Sequence, residues 1–136
     1  NRFKSLIFSF SRSVILHVAG NNAAIEKIIN NKIEDAKKIK NVIKKFGKIK
    51  NLDEDQFKLK LHEIQENFCE GYVCYDLQKI LNNYFSFVIH YIFYLFNLEK
   101  LSNKKEHIKN LQGLLCKQLL KIVDAYIESL ELTKSV

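Results

Sequence analysis

The most reactive side chains of this 136-residue sequence are three cysteines, Cys69, Cys74 and Cys116, and four histidines, His17, His62, His90 and His107. Their spacing bounds what they can do. A structural zinc site needs four ligands, usually with one pair two to four residues apart. Cys69 and Cys74 with Cys116 and one histidine reach that number only by a coincidence of folding, so no metal site is expected. A disulfide is the simpler chemistry. Cys116 bridged to Cys69 or Cys74 would staple two distant segments; a Cys69–Cys74 pair needs a real turn at Gly71, and buried free thiols are the remaining option. An odd number of cysteines leaves one thiol over in any case.

Catalytic signatures are missing. His62-Glu63 is not followed by a second histidine four positions after the first, so the zinc-protease helix pattern is absent. No glycine-rich phosphate loop and no nucleophile elbow occur, and the histidines are scattered away from any apolar carboxylate pair. The expectation is a protein that is not an enzyme and needs no cofactor.

Two binding chemistries have a sequence basis. Ten Phe and six Tyr are many for this length, and eight of these sixteen rings lie between Tyr84 and Phe96 or beside Gly71. An aromatic helical bundle can leave an apolar cavity closed by a few polar groups. Tyr84, His90, Tyr91 and Tyr94 are the candidates to orient a lipid or small apolar ligand there. The second chemistry is anion binding. Glu26 to Lys50 holds nine Lys against three acids, with Lys37, Lys38, Lys44 and Lys45 as the core of a basic face. Phosphate or sulfate polymers bind such a face through neutralised charge and counterion release. Only two Arg accompany 20 Lys, so the bidentate contacts that carry specificity are scarce. Weak, sequence-independent polyanion or membrane-surface binding is the expectation for the basic helix over 23–50.

The hexapeptide Cys69-Glu-Gly-Tyr72-Val-Cys74 resembles the cysteine–tyrosine–cysteine motif of the bicycle family of secreted aphid effectors. Those proteins are helical and carry two such motifs. Here the match covers six residues, and Cys116 with Tyr126 lacks a closing cysteine, so no second copy is found. The resemblance implies a helical, exported interaction protein.

The elements that must position these residues follow from periodicity. Apolar residues recur at three- and four-residue spacing in five segments, and no segment alternates as a strand does. The first segment spans about 3–18, with Phe3, Ile7, Phe10 and Val14. The second spans 23–46, with Ile25, Ile29, Ile33, Ala36, Ile39, Ile43 and Phe46 as its stripe, and Gly47 ends it. Asp53 with Gln56 fits a capping box before a third helix bearing Phe57, Leu61, Ile64 and Phe68. The fourth, about 72–98, is apolar nearly all round from Tyr84 onward. The fifth follows a second capping pattern, Ser102-Asn103 with Glu106, and carries Ile108, Leu111, Leu115, Leu119, Ile122, Tyr126 and Leu130.

These segments predict an all-α fold: a single domain over 1–136, a compact five-helix bundle with the aromatic-rich helix 72–98 at its centre, because a helix without a polar face is buried on most sides. Leu81 to Leu98 is 18 residues without a formal charge, the lower limit for a membrane span. Its Asn82, Asn83, Ser86, His90 and Asn97 would need partners inside lipid, so a buried helix is expected and no transmembrane span.

Charge is unevenly placed. Residues 1–50 hold 12 Lys and Arg against 3 acids, or +9, and the remainder holds 10 against 12, or −2, which together make the formal +7. Either an anionic partner meets that part or the acids of the remainder cover it. The three cysteines fit either a secreted or a cytoplasmic chain, and a start without Met or a signal pattern points to a processed, secreted or host-exposed chain, with a cytoplasmic one as the alternative. The function expected is that of a helical, effector-like interaction protein binding an unknown protein partner through its surface. Carriage of an apolar ligand comes second, and polyanion binding third.

Overall fold

The computed structural model describes residues 22–97 and 103–134, and all its regular structure is helical. Four helices occur among the described residues: α1 (Asn22–Lys48), α2 (Glu54–Asn67), α3 (Tyr75–Phe96) and α4 (Lys104–Lys134). The expected helix over 3–18 lies outside the described residues. The described residues therefore hold the other four of the five expected helices.

Local chemistry sets the helix ends. Asp53 accepts from the Gln56 amide at 2.8 Å, and Gln56 Oε1 accepts from the Asp53 amide at 3.1 Å, which forms the expected capping box of α2. Asn51 takes the left-handed conformation, with φ 61°, in the link between α1 and α2, a backbone region that Asn enters more readily than most residues. Gly47 does not end α1 as its residue type suggests; the helix continues to Lys48.

The stripe of α1 is buried as its spacing requires: Ala36, Ile39 and Ile43 are fully buried, with Ile29, Ile33 and Phe46 nearly so. Its partner is α4, which presents Leu115, Leu119, Ile122, Val123, Tyr126 and Leu130. The two run antiparallel. Lys40 meets Asp124 at 2.6 Å, the Cys116 thiol donates to the Ile43 carbonyl at 3.5 Å, and Gln112 reaches the Phe46 carbonyl at 2.7 Å. Helices α2 and α3 form a second antiparallel pair laid on the first. Phe57 stands between Phe46 and Phe96, and Phe68 meets Phe85 edge to face at 5.6 Å.

Two buried glutamines donate to carbonyls at or just beyond helix C-terminal ends. Gln112 Nε2 donates to the Phe46 and Ile49 carbonyls, each at 2.7 Å. Gln78 Nε2 donates to the Phe68 carbonyl at 3.2 Å and to the Glu70 carbonyl. The last carbonyls of a helix have no partner within it, and leaving one buried costs roughly 1–3 kcal/mol. Each glutamine thus ties the end of one helix to the next layer.

The aromatic helix is not the centre. Leu77, Leu81, Phe85, Ile92 and Phe96 of α3 are buried, but Phe87, Tyr91 and Tyr94 are 77%, 58% and 62% exposed. Val88 and Leu95 are half-buried. The most extensive helix pairing is instead that of α1 with α4, where Gly47 lies directly against Cys116. An uncharged sequence permits burial without requiring it, since apolar atoms make up more than half of an ordinary protein surface.

Candidate functional site

The densest cluster of titratable groups lies where the N-terminus of α3 meets α1 and α4. Tyr126 donates its hydroxyl to Asp76 Oδ1 at 2.8 Å, and Lys32 Nζ lies 3.6 Å from Asp76 Oδ2. One residue before α3 begins, Cys74 is fully buried. Next to it the Val73 amide donates to Asp35 Oδ2 at 2.8 Å, and Asp35 also pairs with Lys38 at 3.3 Å. Burial, with the charges of Asp35 and Asp76 behind it, pushes the Cys74 thiol up to about 12. Burial and then the Asp76 charge push the Tyr126 phenol far above its ordinary range. A thiol that high is not a nucleophile at neutral pH, and such a phenol is not a base. The arrangement locks the α3 entry onto the α1–α4 pair. The sequence pattern missed it because Asp76, Lys32 and Tyr126 come from three separate segments.

The cysteines do not pair. All three thiols are free: Cys69 is exposed in the α2–α3 connection, Cys74 is buried, and Cys116 is half-buried on α4. The bridge expected from Cys116 to Cys69 or Cys74 is therefore corrected. Cys74 sits level with Asp35 of α1, whereas Cys116 sits level with Ile43 and Gly47. That offset is about 12 Å along the helix axis, against the 4.4–6.8 Å between α-carbons that a disulfide spans. Gly71 does open a turn, but it leaves Cys69 outside and Cys74 inside the core. No group of three or more His, Cys, Asp or Glu side chains among the described residues is arranged to hold a metal ion.

The four candidates for a ligand site differ in exposure. Tyr84 is half-buried, and burial raises its phenol above the ordinary value. His90, Tyr91 and Tyr94 are exposed on the outer side of α3, beside Phe87 and Asn83. What they form is an aromatic surface, with Phe87, Tyr91 and Tyr94 at i, i+4 and i+7 on one helix face. Helix α3 is not long and apolar enough to cross a membrane, nor is any other helix among the described residues.

Lys37, Lys38, Lys44 and Lys45 are all exposed on α1. Lys38 is held by Asp35, while Lys37, Lys44 and Lys45 have no carboxylate within ion-pair distance among the described residues. The acids 53–55, 63, 66 and 70 do not cover the basic face; Glu54 pairs with Lys58 and Lys104, and Glu63 with Lys60.

A groove of about 340 Å³ opens between the C-terminal half of α1 and α2. Val42, Phe46, Ile49 and Ile64 give it an apolar floor, and Lys45, Lys60, Glu63 and Asn67 stand around it. None of the four aromatic candidates lines it. Comparison with protein-family models, with curated proteins and with solved structures found no match to this chain.

Proposed function

We propose that this chain is a non-enzymatic interaction protein that recognises a protein partner through the outer face of α3. The supporting observation is the exposure of Phe87, Tyr91 and Tyr94 together on one face of a helix whose described part carries no formal charge after Lys79. Aromatic side chains lose little conformational entropy on docking and dominate the energetics of interface centres. An uncharged face is also cheap to desolvate. The unreactive state of Cys74 and Tyr126 agrees with a role without catalysis.

The test is capture of partners from the protein's natural surroundings, with the chain and with its Phe87→Ser/Tyr91→Ser/Tyr94→Ser variant compared under equal helical circular dichroism. A partner held by the chain and lost by the variant supports the reading. A partner held equally by both overturns it. Self-association that the variant abolishes would redirect the face to a second copy.

Polyanion binding by α1 is the second reading, favoured by the unpaired Lys37, Lys44 and Lys45. Nothing in their arrangement selects one anion over another, so it stands behind the aromatic face.

A further inference from the structure

The groove between the C-terminal half of α1 and α2 is lined by no residue of α3. We propose that the groove between α1 and α2 takes an acidic amphipathic peptide segment: its apolar side chain on Val42, Phe46, Ile49 and Ile64, its carboxylate on Lys45.

Three observations fix that chemistry. The floor is apolar and built on rigid elements, since Val42, Phe46 and Ile49 fall at i, i+4 and i+7 of α1 and its C-terminal link, and Ile64 faces them from α2. The volume of about 340 Å³ admits side chains of one segment, and the space is half open to solvent. A small apolar ligand generally needs most of its surface enclosed, which an open groove does not do. The charges on the rim are unequal in availability. Lys60 is taken by Glu63 at 3.2 Å, while Lys45 has no carboxylate within ion-pair distance among the described residues. Lys44, equally unpaired, is its immediate neighbour and widens the positive rim. An apolar floor beside an unsatisfied cation selects an apolar side chain next to an acid.

Selection of a random short-peptide display library on the folded chain tests this. The enriched sequences should place Leu, Ile or Phe beside Asp or Glu. A synthetic peptide from that set should lose at least about tenfold in affinity, the effect of ~1.4 kcal/mol, on Val42→Glu and on Lys45→Glu. Lys45→Arg should keep most of it. The Phe87→Ser/Tyr91→Ser/Tyr94→Ser variant should bind the peptide unchanged, which separates this groove from the α3 face. Because Lys45 is exposed, Lys45→Glu reports on binding even where Val42→Glu perturbs folding. Enrichment of neutral or basic sequences, affinity unmoved by Lys45→Glu, or binding of oleate with no peptide selected would each overturn the proposal.

Discussion

Tyr126 of α4 donates its hydroxyl to Asp76 of α3 at 2.8 Å, in a setting where the tyrosine is fully buried. The other oxygen of Asp76 faces Lys32 of α1 at 3.6 Å, so one carboxylate holds three helices. A hydrogen bond to a charged acceptor contributes roughly 1.5–3 kcal/mol. Tyr126→Phe should lower stability by about that amount with the fold retained. Asp76→Ala should cost more, because it leaves the buried phenol without its acceptor and removes the carboxylate that faces Lys32. Urea unfolding followed by circular dichroism measures both. A Tyr126→Phe loss below about 0.5 kcal/mol, the scatter of a neutral surface change, would show that the bond carries no stability.

Alkaline pH should unfold this protein through Cys74. Its thiol is pushed from the ordinary 9.0 to about 12 in the folded chain. Below pH 9 both states keep the proton and the contribution is constant. As pH rises from 9 towards 12 the unfolded chain releases its proton while the folded chain holds it, so stability falls. The Tyr126 phenol, also raised, acts in the same direction. Urea midpoints across this window should fall less steeply in Cys74→Ala than in the parent chain. Equal slopes would mean that the thiol titrates freely in the fold.

Gly47 lies against Cys116 so closely that an added β-carbon would stand 2.5 Å from the cysteine sulfur. Alanine there raises helix propensity by up to about 1 kcal/mol but forces that sulfur aside, at an overpacking cost of roughly 1–3 kcal/mol. Displacing the thiol also disturbs its bond to the Ile43 carbonyl. Gly47→Ala should destabilise, and Cys116→Ala in the same chain should relieve the clash. A double-mutant cycle with no coupling would refute the close approach.

Replacing Lys37, Lys38, Lys44 and Lys45 together by Gln should abolish retention on heparin at low salt and leave helical circular dichroism unchanged. Among the described residues three of the four have no ion-pair partner, and Lys38 pairs with its neighbour Asp35. Retention of the parent chain should fall steeply as salt rises, since binding there rests on released counterions. Retention that survives the fourfold change would move the anion site off α1.

The periodic spacing of apolar residues was enough to place α1, α2, α3 and α4 within a few residues and to name the buried stripes of α1, α2 and α4, but not that of α3. The Asp53–Gln56 capping box was equally legible, because its two hydrogen bonds join residues three apart. Such features depend on a turn or two of chain. The rank of the helices does not. Helix α3 reads as the most apolar segment, yet the most extensive helix pairing is that of α1 with α4. Burial is decided by which faces meet, and Phe87, Tyr91 and Tyr94 are left outside although their residue types match those inside. Gln78 and Gln112 sit on apolar stripes as apparent interruptions; only contact with the ends of other helices makes them caps. The cysteine pairing failed for the same reason. Sequence supplies the number of thiols, but the antiparallel register of α1 and α4 sets Cys116 beside Ile43 and Cys74 beside Asp35, and distance then forbids the bond.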